Sequence, residues 1–155
     1  MTQDKSVVSS EIRIAIVVSR FNEDVTTGLL NGALAYLSDQ GIPVAKDNII
    51  EAPGAFEIPL IAQSLAGTGR FDGVVCLGCV IKGETAHFEY ISEAASAGLM
   101  NASLSTQIPL SFGILATYNR EQAVVRSRDD AHNKGREAAI ACVESIVCLR
   151  QISAR

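Results

Sequence analysis

The side chains able to do chemistry in this sequence fall in a few short segments. They are Arg20-Phe21-Asn22, Ala52-Pro53-Gly54-Ala55-Phe56-Glu57, Lys82-Gly83-Glu84-Thr85-Ala86-His87 and Thr117-Tyr118-Asn119. His87 is one of two histidines and stands where a helical pattern begins. An imidazole there is a candidate proton shuttle; a helix-start histidine bonded to a carboxylate such as Glu84 is the structural alternative. Gly83-Glu84-Thr85 opens the same helix, where free N–H groups and the helix dipole can hold an anion. Arg126 is a candidate second contact, since guanidinium grips phosphate bidentately; its alternative is a solvated surface residue. Lys82 and Lys134 are candidate Schiff-base nucleophiles, although lysines at such positions are ordinarily solvated. Phe21 directly follows an apolar run, an odd place for a core aromatic, and could stack on a flat heterocycle. Phe112 lies mid-strand and reads by default as core.

Two motifs mislead. GCVIKGET over residues 78–85 matches a phosphate-binding loop except that Glu84 replaces the lysine. That change reverses the charge facing the phosphates, and Cys79-Val80-Ile81 is strand-like rather than loop-like, so a nucleotide triphosphatase is disfavoured. Cys76 and Cys79 form a C-x-x-C. On a strand these positions point to opposite faces, about 10 Å apart at ~3.3 Å per residue, and a disulfide needs Cα atoms within about 7 Å. Cys142 and Cys148 are six apart on a helix and face different directions. All four cysteines therefore read as small buried apolar residues.

The elements that must position these groups follow from periodicity. Residues 12–19 (IRIAIVVS) are β-branched and uncharged after Arg13, a strand covered on both faces. Val25, Leu29, Leu30, Ala33 and Leu37 carry a helix over 22–40, stopped by Gly41 and Pro43. A second, more polar strand is expected over 44–51 at a sheet edge, then a short helix over 57–66. Strands over 73–82 and 109–116 bracket a long Ala/Ser/Gly-rich helix over 85–107. Helices over 120–126 and 133–152 complete the chain. This β-α alternation predicts one α/β domain, a four-stranded parallel sheet between helical layers. In such sheets ligands sit beyond the carboxyl ends of the strands, which is where the reactive segments fall.

At 155 residues and net charge -4 the chain fits one domain over 12–155, preceded by a polar segment over 1–11 expected to be flexible. Hydrophobic residues reach 48% and charged ones only 19%, below the usual ~25%. That excludes disorder, and the acidic balance without a basic run disfavours nucleic acid as a partner. No stretch reaches the ~18 uncharged apolar residues of a membrane span, and the first eleven residues lack a signal-peptide core; a cytoplasmic protein is expected. The surplus of apolar over charged residues points to surface covered by other subunits. Ile140, Val143 and Val147 read as a second apolar stripe on the last helix beside a core stripe of Ala138, Cys142, Ile146 and Leu149. Ala94, Ala95, Ala97, Gly98 and Ala102 on the long helix would allow close helix approach.

Phe21-Asn22, Pro53-Gly54-Ala55-Phe56-Glu57-Ile58-Pro59, Gly78-Cys79-Val80-Ile81-Lys82-Gly83-Glu84-Thr85, His87-Phe88-Glu89, Phe112-Gly113-Ile114-Leu115, Glu121-Gln122-Ala123 with Arg126, and Asn133-Lys134-Gly135 occur in one order and spacing. Together they resemble the 6,7-dimethyl-8-ribityllumazine synthases, over about 12–152. The resemblance implies a flavodoxin-like three-layer α/β/α sandwich and the penultimate step of riboflavin biosynthesis. In that step 5-amino-6-(D-ribitylamino)uracil condenses with 3,4-dihydroxy-2-butanone 4-phosphate, with no metal or organic cofactor. The substrate amine forms the imine, which leaves Lys82 and Lys134 little role as nucleophiles. Phe21 would stack on the pyrimidinedione, and Ala55, Phe56 and Glu57 would line the ribityl and ring pocket. Cys79, Val80 and Ile81 would offer backbone contacts. Glu84, Thr85 and Arg126 would hold the phosphate and His87 would shuttle protons. Phe112 would come from a neighbouring subunit. The resemblance further implies a homopentamer, with decamers or sixty-subunit shells depending in part on the hinge over 127–132, here unusually charged, and functional coupling to riboflavin synthase.

Overall fold

The computed structural model describes residues 11–155. The expectation for the N-terminal segment falls, Glu11 apart, outside these described residues. Strand β1 spans Ile14–Ser19, β2 Ile49–Ala52, β3 Gly73–Ile81 and β4 Leu110–Thr117. Helices α1 (Glu23–Asp39), α2 (Ile58–Ala66), α3 (His87–Thr106), α4 (Arg120–Arg126) and α5 (Lys134–Ser153) alternate with them. The strands form one parallel sheet in the order β2-β1-β3-β4. Helices α1, α4 and α5 cover one face, α2 and α3 the other, giving the expected three-layer sandwich. No helix among the described residues is long and apolar enough to cross a membrane.

The uncharged strands are explained by burial on both faces. Along β3, Val75, Leu77 and Cys79 pack toward α1 and α5, while Val74 and Cys76 pack toward α2 and α3. Cys76 and Cys79 thus sit in opposite halves of the core, and both are free thiols. Helix α1 presents Val25, Leu29, Ala33 and Leu37 as one fully buried stripe, the i, i+4 spacing of an amphipathic helix. Gly135 packs so tightly on α1 that a Cβ there would overlap the Leu29 carbonyl. Gly98 does the same work between α3 and α2, where a Cβ would come within 2.9 Å of Pro59.

Several expectations need correction. The second strand is shorter than 44–51: Lys46–Asn48 forms a 3-10 turn and only Ile49–Ala52 pairs, with Ile16 through Ser19 of β1. The polar Lys46-Asp47-Asn48 triplet favours local turn bonding over a ladder. In α5, Val143 and Val147 belong to the core and Leu149 is exposed. That helix lies against both the sheet and α1, so the two apparent stripes merge into one broad buried face. Ala95 and Ala102 are likewise core residues. Cys148 is exposed, because six residues beyond Cys142 the helix has turned outward. The apolar surplus on the surface instead includes Leu60 of α2, Met100 and Leu104 of α3, Phe112 of β4, and Leu149 and Ile152 of α5.

Candidate active site

The carboxyl ends of β1, β2 and β3 open into a cleft of about 650 Å³. The chain leaves β1 toward β2 and leaves β3 toward β4, so the cleft lies where the direction of winding reverses, the usual ligand crevice of open α/β sheets. It gathers Phe21, Ala55, Phe56, Glu57, Cys79, Val80, Ile81, Thr85 and His87 from segments far apart in sequence. Phe21 is 71% exposed and Phe56 59%, so both present open aromatic surface and neither fills the core. Glu84 is exposed beside Thr85 but does not line this cleft.

Local geometry fixes these groups. Asn22 adopts the left-handed conformation (φ 61°), which asparagine tolerates better than most residues. Its Nδ2 donates to the Cys79 carbonyl at 3.0 Å, tying the Phe21 turn to β3. Strand β3 overruns β1: the last pair is Val18 with Leu77, while β4 continues beside β3 to Ile81. Beyond Leu77 the β1 side of β3 therefore has no strand partner: the Cys79 carbonyl is met by Asn22 instead, and Val80 and Ile81 are only half-buried. Ala55–Glu57 form a 3-10 turn with Ala55 buried. Gly54 lets the Glu57 carboxylate fold back, since a Cβ would stand 3.2 Å from its Oε2. The His87 amide donates to Thr85 Oγ1 at 3.4 Å, setting the imidazole at the first residue of α3. Lys82 lies outside the cleft, 3.4 Å from Glu89 and 5.9 Å from the Tyr118 ring centroid. Burial pushes the Cys79 thiol up to about 11, which keeps it protonated and a poor nucleophile.

Phe112 and Arg126 do not join this cleft. With Lys134 they line a second, smaller one of about 240 Å³ along the outer side of β4. Phe112 is 53% exposed; its mid-strand position suggested core, but β4 is an edge strand and neither helical layer covers that side chain. Arg126 donates to the Gln122 carbonyl at 3.0 Å, and Lys134 pairs with Glu137 at 2.7 Å. A further cleft of about 600 Å³ near Ile12, Pro43 and Phe71 lies at the amino ends of β1 and β3 and contains none of the nominated residues.

A sequence model of the 6,7-dimethyl-8-ribityllumazine synthases matches residues 11–150. The chain belongs to that family. It is 69% identical to 6,7-dimethyl-8-ribityllumazine synthase 1 of Caulobacter vibrioides, over 90% of this chain and 92% of that one. It is 45% identical to the synthase of Syntrophus aciditrophicus, over 94% of each. With the synthase of Protochlamydia amoebophila it shares 46%, over 93% of this chain and 84% of the other.

In this lumazine synthase family member, sequence reasoning missed three polar residues. Asn22 stands out in the sequence only as part of a motif, although its position between a strand and a helix hints at a turn. Arg120 lines the main cleft and pairs with Asp24; as a charged residue just after a strand end it was findable by the same rule that located the others. Asn133 is 1% exposed. Its Nδ2 donates to the carbonyls of Gly28 (3.1 Å) and Arg128 (2.8 Å), and its Oδ1 accepts from the Arg136 amide at 3.0 Å. It thereby caps α5 and ties α1 to the turn between Arg126 and Lys134.

Proposed function

We infer that this chain catalyses the condensation of 5-amino-6-(D-ribitylamino)uracil with 3,4-dihydroxy-2-butanone 4-phosphate. The products are 6,7-dimethyl-8-ribityllumazine, inorganic phosphate and water. The observation that carries this reading is convergence: a stacking ring, a carboxylate, the exposed end of a strand, a helix start and an imidazole meet in one cleft of a chain from this family. Phe21 stacks on the pyrimidinedione, backbone at the exposed end of β3 over Cys79-Val80-Ile81 reads its polar edge, and Glu57 accepts hydrogen bonds from ribityl hydroxyls beside Ala55 and Phe56. Thr85 and Glu84 sit where the first turn of α3 can hold the phosphate. His87, beside that group, moves protons during imine formation, phosphate elimination and ring closure. Holding two reactants in register supplies much of the rate enhancement.

The remaining contacts come, on this reading, from a second copy. Phe112 and Arg126 would close the cleft of the neighbouring chain, Phe112 over the ring and Arg126 on the phosphate, with Lys134 nearby. Two features support this: these residues stand apart from His87 within one chain, and apolar Met100, Leu104, Leu149 and Ile152 are exposed. A contact joining two different surfaces repeats head to tail and forms a ring when its rotation closes, which suits the homopentamer expected for this family. The charged hinge at 127–132 bears on whether rings associate further into decamers or shells. Soluble substrates fit a cytoplasmic setting, and the lumazine product is the substrate riboflavin synthase would consume. The reaction is tested by mixing the chain with both substrates and following lumazine fluorescence. Product forming no faster than the uncatalysed condensation would refute it.

A further inference from the structure

We propose that Arg120 is a phosphate contact supplied by the same chain as His87, and that Asp24 is the counterion it exchanges for that phosphate. The inference deepens the reaction proposed above and rests on it. Arg120 opens α4 and lines the main cleft together with Phe21, Thr85 and His87. Among the described residues it is the one lining the cleft with a permanent positive charge, since Lys82 and Arg126 both lie elsewhere. Its guanidinium is held by the carboxylate of Asp24, in the first turn of α1. Both side chains are more than half exposed, and an ion pair this exposed is worth little. A phosphate monoester offers the same guanidinium two oxygens and a higher charge, so exchange toward phosphate is favoured. Asp24 and Arg120 also both act on the Cys79 thiol, in opposite senses, which places their charges within reach of the cleft floor. An anionic substrate entering the cleft therefore meets Arg120 first neutralised by Asp24 and then released to it. The departing phosphate leaves by the reverse exchange.

The test combines kinetics, with each substrate varied in turn, and calorimetric titration of inorganic phosphate, which needs no turnover. Arg120→Gln should raise KM for the butanone phosphate and the phosphate Kd about three- to tenfold, a charge-assisted contact weakened by exposure. KM for the ribitylaminouracil should move by less than about twofold. Asp24→Asn should act in the opposite direction, tightening phosphate about two- to threefold by freeing the guanidinium. Equal rises in both KM values, an unchanged phosphate Kd in Arg120→Gln, or unchanged or weaker phosphate binding in Asp24→Asn would each overturn the inference. Failure of the unmodified chain to make lumazine would overturn the reaction instead, and the phosphate titrations would still decide the role of Arg120.

Discussion

Replacing Asn133 by alanine should be among the most damaging single changes that leave the apolar core untouched. The side chain is almost wholly buried and makes three hydrogen bonds, two donated by Nδ2 and one accepted by Oδ1. Losing the cap on α5 costs about 0.5–2 kcal/mol. The carbonyl of Gly28 lies inside α1 and keeps its helical donor, so losing the Asn133 bond costs about 0.5–1.5 kcal/mol. Arg128 is exposed, so its carbonyl is rehydrated and adds little. A net loss of about 1–3.5 kcal/mol is expected. Urea unfolding at fixed protein concentration measures it as a lower midpoint with an unchanged slope; fixed concentration matters because an oligomer's stability depends on it. Asn133→Asp keeps the cap acceptor but sets a buried carboxylate oxygen against the Gly28 and Arg128 carbonyls, and should lose at least as much. A loss below about 1 kcal/mol for the alanine variant would refute the view that this side chain ties α1 to the turn between α4 and α5.

Two other outcomes are expected. Phe21→Ala should raise KM for the ribitylaminouracil about five- to a hundredfold, as loss of a heterocycle stack does, with stability within about 0.5 kcal/mol because the ring is exposed; steady-state kinetics and thermal unfolding read the two separately. Among the four cysteines, only Cys148 should react with a thiol reagent in the folded protein at neutral pH, and all four after denaturation. Burial pushes Cys79 up to about 11 and Cys142 up to about 12 from an ordinary 9.0, and Cys76 higher still. The folded chain thus keeps protons that the unfolded chain releases. The stabilisation is complete below pH 9 and is lost as pH rises toward 11 and 12, so urea midpoints should fall across that range.

Much of this architecture was legible in the sequence for definite physical reasons. The strands β1, β3 and β4 are uncharged apolar runs because both faces of the sheet are covered, and β3 could be recognised from Gly73 through Ile81 on that ground alone. The edge strand β2 is shorter than its sequence suggests: a strand paired on one side needs only a few apolar residues, and Lys46-Asp47-Asn48 blurs where they begin. The long helix α5 showed why periodicity miscounts faces, since Val143 and Val147 serve the contact with α1 rather than a separate surface. Candidate site residues are legible because strand ends are marked by abrupt changes from apolar to polar. Their grouping is not. Spacing along the chain does not say which side of β4 the α4–α5 turn occupies, and only the strand order puts Phe112 and Arg126 at the outer edge, away from His87.

On the proposed reading that separation means that neither cleft is a complete site without the other, so two copies would contribute. Co-refolding His87→Ala with Arg126→Ala chains tests this directly. Each variant alone should be nearly inactive, whereas mixed rings should regain about a quarter of wild-type lumazine formation, from junctions where an intact His87 meets an intact Arg126. Mixed assemblies no more active than either parent would contradict the shared site and place both residues in the service of a single chain.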